Sequence, residues 1–226
     1  MGDTAVLIPA LNCQATIGAV VVGARRHVRT VVVVSDGSTD ETVTVATAAG
    51  ARVIAHARCC GKGAALLTGL RALAADGVSH VVTLDGDGQH LPDEIPALLA
   101  VSATAPEALV IGSRNFEDLP TTPARRFGNR FANRWVEIAC HRALPDTQSG
   151  FRIYPVQRVL ELGLRARHFA LETEVLIRAA RAGMEIRSVP VRVYYPPVEE
   201  RVSHFRPFVD SVRIVLVVIG LILRVW

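Results

Sequence analysis

Two carboxylates flank a single glycine in Asp85-Gly86-Asp87, which is followed by Gly88-Gln89-His90 and preceded by the apolar run Val81-Val82-Thr83-Leu84. Acids two apart at the end of a buried strand leave one on each side of the turn, and Gly86 and Gly88 permit tight backbone geometry and close approach of a ligand. Hard oxygen donors of this kind suit Mg²⁺ or Mn²⁺, which keep open positions for phosphate oxygens. Gln89 could add a carbonyl oxygen. Asp and Gly also favour turns for purely local reasons, so the pattern gains weight only from its companions.

Three companions stand out. Ser35-Asp36-Gly37-Ser38-Thr39-Asp40 follows a run of four valines. Asp36 there could accept hydrogen bonds from a nucleobase N–H or a ribose hydroxyl, and Asp40 reads as an acid at a helix start. Gly61-Lys62-Gly63 sits in a loop before a helix, where backbone N–H groups suit a phosphate and Lys62 adds a point charge. Glu172 and Glu174 lie near the start of a later helix, a position the helix dipole favours even for exposed acids.

The elements that must hold these residues alternate between strand and helix. Strands are expected at Ala5–Pro9, Thr30–Ser35, Ala51–Ala55 and His80–Leu84, with helices at Thr16–His27, Thr39–Gly50 (capped by Ser38 or Thr39) and Gly63–Gly77. That order implies an α/β, doubly wound, mostly parallel sheet, in which ligands bind beyond the carboxyl ends of the strands. Asn12, Asp36 and Asp85 all fall there. Beyond it, strands are expected at Leu109–Gly112 and Glu185–Tyr194, and helices at Arg125–Cys140 and Phe169–Ala182.

The 226 residues suffice for one such domain and a short appendage, with half of them hydrophobic and a net charge of only +4. So small a net charge argues only weakly for an anionic partner, and no nucleic-acid partner is expected. Charge is instead local, in Arg125, Arg126, Arg130 and Arg134, and again in Arg201, His204, Arg206 and Arg213. The spacing of Cys13, Cys59, Cys60 and Cys140 matches no zinc pattern, so free thiols in a reducing compartment are expected. No basic segment precedes a long apolar stretch at the start, so no signal peptide is expected, and the cytoplasm or its membrane face is the expected compartment. Ile214–Leu223 is an uninterrupted apolar run between Arg213 and Arg224. As a helix it would extend about 15 Å, half of a bilayer core. It is expected either to pack on the domain or to lie in a membrane interface. The division is therefore residues 1–204 as the catalytic domain and 205–226 as an apolar, membrane-associated helix.

Taken in order, Pro9-Ala10-Leu11-Asn12, Val34-Ser35-Asp36-Gly37-Ser38-Thr39-Asp40, Gly61-Lys62-Gly63, Asp85-Gly86-Asp87-Gly88-Gln89-His90 and Asp146-Thr147-Gln148-Ser149-Gly150-Phe151-Arg152 resemble the motifs of family 2 glycosyltransferases. The chain looks most like their dolichol-phosphate mannose synthase branch, over about residues 4 to 204. The resemblance implies a GT-A fold. It implies that Pro9, Leu11, Asp36, Asp85, Gly86, Asp87 and Gln89 line the donor site, and that Asp85, Asp87 and Gln89 hold the metal. It sets Arg114 near the acceptor and donor phosphates, and Arg192, Arg201 and Ser203 in a basic loop over the diphosphate. Glu172 falls at the general-base position of hydroxyl-using members. Two positions depart from the family pattern: Cys13 replaces a usual Glu, and Ser35 replaces the first of two acids.

The expected activity is an inverting, metal-dependent transfer of a hexose from GDP-mannose or a UDP-sugar to a lipid-linked acceptor presented at the membrane. A polyprenyl phosphate is already anionic and needs no strong base; an alcohol of a lipid or pigment needs a carboxylate such as Glu172. A nucleotidyltransferase would need a Gly-rich loop after the first strand, and Ala10-Leu11-Asn12-Cys13 has none. A non-catalytic sugar-nucleotide-binding module is the third reading, kept open by Cys13 and Ser35.

Overall fold

The computed structural model describes residues 3–114, 133–140, 144, 146–195 and 207–223. Arg125, Arg126, Arg130, Arg201, Ser203, His204, Arg206 and Arg224 lie outside them.

The first half follows the expected alternation. Strands β1 (Thr4–Ala10), β2 (Thr30–Ser35), β3 (Arg52–Ala55) and β4 (His80–Thr83) are separated by helices α1 (Ile17–Arg25), α2 (Thr42–Ala48) and α3 (Lys62–Ala75). Next come α4 (Ile95–Thr104), β5 (Leu109–Arg114), helical residues 133–140 (α5), β6 (Arg152–Pro155), α6 (Val156–Leu160), α7 (Ala170–Arg181), β7 (Ile186–Val191) and α8 (Pro207–Ile222). Helix α2 begins later than expected. Asp40 rather than Ser38 or Thr39 accepts the Thr42 N–H at its start, while Ser38 and Thr39 bond to Asn12.

The seven strands form one sheet in the order β3-β2-β1-β4-β6-β5-β7. All pairings are parallel except the two made by β6, which lies antiparallel between β4 and β5. Alternate residues of each strand feed opposite cores. Leu7, Val32, Val81 and Ile111 meet α3 and α7, whereas Ile8, Val33, Val82 and Val110 meet α1 and α4. Burial on both faces explains why the central strands β1 and β2 read as continuous apolar runs.

The register sets the site. Ala10 pairs with Ser35, and Leu7 with Thr83, so β1, β2 and β4 end side by side. Because β6 runs the other way, its first residue Arg152 pairs with Thr83, and the preceding segment 146–151 arrives at the same edge. Strands β5 and β7 end there too, at Arg114 and Val191.

Helix α8 packs on α7. Ile214, Val217, Val218 and Leu221 are buried in the core, and Arg181 Nη1 donates to Leu221 O at 2.6 Å. Its other face, with Val212, Val215, Leu216, Ile219, Ile222 and Leu223, is exposed. Among the described residues no helix is long and apolar enough to cross a membrane.

Candidate active site

The turn after β4 is pinned from three sides. Thr16 Oγ1 donates to Gly86 O at 2.6 Å, the Gln89 N–H donates to Asp87 Oδ1 at 3.0 Å, and the Tyr194 N–H donates to Gln89 O at 2.8 Å. That last bond takes one lone pair of the Gln89 backbone carbonyl and ties the turn to the segment after β7. Gly86 lies against the end of β1: a Cβ there would stand 3.3 Å from Cys13 Sγ and 3.4 Å from Pro9 O. His90 is buried, tilted against Phe151 with 5.4 Å between ring centroids, and its Nδ1 accepts the Asp85 N–H at 3.2 Å. Burial pushes its pKa down to about 4, so the ring is neutral at pH 7 and keeps the lone pair this bond requires.

Lys62 joins motifs that are far apart in the chain. Its Nζ lies 2.6 Å from Asp85 Oδ1 and 3.1 Å from Glu172 Oε1. Burial alone would depress the ammonium, but the two carboxylates outweigh it and raise its pKa. Burial would likewise raise Asp85, yet the Lys62 charge pulls it to about 2. Among the described residues Asp87 has no such cationic partner, and burial and the Asp85 charge push it up to about 6. The glycines around Lys62 serve close approach. A Cβ at Gly61 would stand 2.2 Å from His168 Nδ1, and one at Gly63 2.7 Å from the Arg167 backbone. The segment entering α7 therefore lies on the start of α3 and carries Glu172 to Lys62. It also bonds to the first turn of α3, where the Ala64 N–H donates to Arg167 O, while the Gly61 N–H, expected for phosphate, donates to Asp36 Oδ2. Gly150 closes the group, because a Cβ there would stand about 3 Å from Glu172 Oε1, Lys62 Nζ and Asp85 Oδ1.

Glu172 and Glu174 are both buried, which excludes the reading of two exposed helix acids. Glu174 is structural: it accepts from the Arg165 and Ala166 N–H groups and from Arg178 Nε. Glu172 instead faces the Asp85 site.

Asp36 is buried and turned toward the loop before α3. Its carboxylate accepts from Cys60 N–H at 2.9 Å, Gly61 N–H at 2.7 Å and Cys59 Sγ at 3.2 Å, and lies 2.7 Å from His56 Nδ1. These donors outweigh burial and hold its pKa below the ordinary value. Asn12, at a left-handed φ of 49°, accepts the Thr39 N–H and donates its own N–H to Ser38 Oγ, clasping the loops after β1 and β2. Leu11 lies beside it, and its carbonyl accepts from Cys13 Sγ. The Cys13 thiol, pushed up to about 11 chiefly by burial and next by the acids around it, stays neutral.

Arg114 forms a two-pronged pair with buried Asp146, at 2.6 and 2.7 Å, and its backbone N–H donates to the same carboxylate. Arg152 is wholly buried beneath this loop and donates to the carbonyls of Thr147, Ser149 and Glu172. Arg192 pairs with Glu94 at 2.6 Å on the rim, one residue before the bridge between Val193 and His90. Thus Asp85, Gly86, Asp87, Gln89, Lys62, Glu172 and Pro9 come together, Arg114 borders them, and Asp36 and Asn12 act on the neighbouring loops. Residue types alone had not singled out Asp146, Arg152, His90 or Thr16. The first three lie within the quoted motifs, which was the only signal they carried.

The family model for glycosyl transferase family 2 matches residues 5–158. The chain is 29% identical to UDP-N-acetylglucosamine–dolichyl-phosphate N-acetylglucosaminyltransferase of Methanococcus voltae, covering 84% of each protein. It is 31% identical to glycosyltransferase AglJ of Haloferax volcanii, covering 91% of this chain and 67% of that one. Among solved structures, glucosyl-3-phosphoglycerate synthase from Mycobacterium tuberculosis, crystallised with Mn²⁺, UDP and phosphoglyceric acid, superposes with a TM-score of 0.74 at 25% identity over 99% of this chain and 78% of that one. The chain belongs to glycosyl transferase family 2: it is a glycosyltransferase with the GT-A architecture.

Proposed function

We propose that this glycosyltransferase moves a hexose, with inversion, from a nucleoside diphosphate sugar such as GDP-mannose or a UDP-sugar to a polyprenyl phosphate at a membrane surface. The observation that carries the reading is the pairing of Lys62 with both Asp85 and Glu172. It gathers one cation and two acids, from three separate segments of the chain, at the carboxyl edge of the sheet. The oxygen donors there fit a hard divalent ion, Mg²⁺ or Mn²⁺: Asp87 is unneutralised enough to sit near pKa 6, and a cation already rests on Asp85. Asp85, Asp87 and Gln89 would hold it. When bound, such an ion neutralises charge developing on the departing diphosphate.

The remaining roles belong to side chains. Lys62 steadies Asp85 and offers charge to the diphosphate. Arg114, held by Asp146, lies where an anionic acceptor can be oriented, and Arg192 on the rim is assigned to the diphosphate, a role the family resemblance extends to Arg201 and Ser203. Pro9, Leu11, Asn12, Asp36 and Gly86 shape the nucleoside end, with Asp36 acting through the loop at Cys60 and Gly61. A phosphate acceptor attacks with an oxygen already anionic, so no proton has to move. This suits a Glu172 already neutralised by Lys62.

A membrane-facing role for α8 is supported by its bare apolar stripe. The Methanococcus voltae relative is named for transfer to dolichyl phosphate, a membrane lipid, which supports the same reading. A lipid or pigment hydroxyl is the second reading, favoured by the burial of Glu172 and its orientation toward Asp85. The test is transfer of labelled hexose from GDP-mannose, UDP-glucose or UDP-N-acetylglucosamine to polyprenyl phosphate in Mn²⁺, with EDTA as control. Product with a hydroxyl lipid but none with the phosphate would overturn the first reading.

A further inference from the structure

Outside the Asp85 site, one cluster mixes oxygen, nitrogen and sulfur donors. Asp36 at the end of β2, His56 just after β3 and Cys60 in the loop before α3 place one ligand atom each within 4.8 Å of one another. It is the only group of its kind among the described residues. The exposed Cys59 thiol approaches the same carboxylate, 3.2 Å from Asp36 Oδ2. On the far side of the ring, His56 Nε2 lies 3.0 Å from Thr68 Oγ1 on α3. A histidine that ligates through one nitrogen is ordinarily fixed by a hydrogen bond at the other, and Thr68 supplies that partner. The backbone is held as well, by the bonds from Cys60 N–H and Gly61 N–H to the Asp36 carboxylate.

We infer that Asp36, His56 and Cys60 form a binding site for a borderline-soft divalent cation of the zinc class, with Cys59 or water in the fourth position. Zn²⁺ takes carboxylate, imidazole and thiolate together at about 2.0–2.3 Å, whereas Mg²⁺ and Mn²⁺ prefer the all-oxygen set at Asp85 and Asp87. Ligand softness thus sorts two cations between two sites. Binding requires small shifts: the Asp36–His56 contact opens, the Cys60 sulfur closes in, and the Cys60 thiol gives up its proton. The loop so clamped runs through Gly61 into Lys62, which places the ion at the edge of the donor site.

The experiment uses the full chain stripped of metal, with excess Mg²⁺ present to fill the all-oxygen site, and titrates Co²⁺ as the spectroscopic stand-in for Zn²⁺. The expected result is a near-ultraviolet thiolate-to-cobalt band with the visible bands of tetrahedral Co²⁺, saturating at one equivalent and lost on adding Zn²⁺. The double variant Cys59→Ser/Cys60→Ser and the single variant His56→Gln should abolish the thiolate band while keeping wild-type circular dichroism, and Cys140→Ser should leave it intact. Absence of the band in folded wild type, or its persistence in Cys59→Ser/Cys60→Ser, would overturn the site. The spectrum needs neither donor nor acceptor, so it stands apart from the transfer assay.

Discussion

Lys62 Nζ lies 2.6 Å from Asp85 Oδ1, where the proposed divalent ion would bring its own charge. The ammonium therefore competes with that ion for Asp85 until the donor diphosphate offers it another partner. Lys62→Met should bind Mn²⁺ about tenfold more tightly in the absence of donor, a modest fraction of a unit charge's effect at this range. It should also transfer sugar more slowly. Calorimetric titration of Mn²⁺ reads the first effect. An unchanged affinity would mean that the pair does not oppose the metal.

Asp87 supplies the pH dependence. Its pKa of about 6 lies above the ordinary carboxylate value, so the folded, metal-free protein binds this proton more tightly than the unfolded chain does. Metal must displace it. Mn²⁺ affinity should be flat above about pH 7 and fall, by at most about tenfold per pH unit, below pH 6. The rise in Tm on adding Mn²⁺ should therefore grow from pH 5 to pH 7. Asp87→Ala should abolish transfer, leave the fold intact and remove this trend; a Mn²⁺ effect independent of pH would detach Asp87 from the metal.

Much of this site was legible because its chemistry is local in sequence. Asp85-Gly86-Asp87 announces a turn after a buried strand, and four successive valines before Ser35 announce another. What was not legible is long-range. Strand β6 is only Arg152–Pro155, too short to show a period, and it carries a buried arginine and a proline, so nothing marked it as the antiparallel insert between β4 and β5. The burial of Glu172 depends on where the Arg167–His168 segment crosses α3, a contact between residues a hundred apart. Asp36 reads as a ligand-facing acid, but its four donors come from His56 and the Cys59–Gly61 loop, whose own spacing carries no hint of convergence.

Those donors define a test of Asp36. Removing the carboxylate leaves the Cys60 and Gly61 N–H groups without their acceptor. Asp36→Ala should cost about 2–4 kcal/mol of stability in urea unfolding, the scale of charge-assisted bonds lost from a buried site. It should also weaken donor binding by releasing the loop before Lys62, with Asp36→Asn intermediate. Stability within about 0.5 kcal/mol of wild type, combined with weaker donor binding, would show that the carboxylate meets the nucleoside directly.

Glu172 decides the acceptor class. With a phosphate nucleophile, Glu172→Gln should lower kcat less than about tenfold, through altered positioning of Lys62. With an alcohol it should fall by about 10²–10⁴-fold, the usual contribution of a general base. Since the Glu172 carboxylate is already engaged by Lys62 at 3.1 Å, the smaller effect is expected. Single-turnover rates with polyprenyl phosphate and with a polyprenol, measured on both proteins, separate the two.

Helix α8 carries two apolar faces with different duties, which dictates how membrane binding must be tested. Deleting it would strip Ile214, Val217, Val218 and Leu221 from the core against α7, so a truncated protein would lose stability whether or not the helix meets a bilayer. The exposed stripe can be changed alone. Leu216 is 58% exposed and Ile219 41%, and they lie three residues apart on the outer face. The double substitution Leu216→Asp and Ile219→Asp puts two charges where an interface would bury about 1.5–3 kcal/mol of apolar side chain at each position. It should release the protein from liposomes containing anionic lipid and slow transfer to a long-chain polyprenyl phosphate far more than to a short soluble analogue. Tm should change little, because neither side chain is part of the core. Val217→Asp, on the buried face, should do the reverse and lower Tm sharply. If the double variant sediments with liposomes as well as wild type does, the stripe is not the membrane contact, and pairing with a second copy of the chain becomes the better account of it.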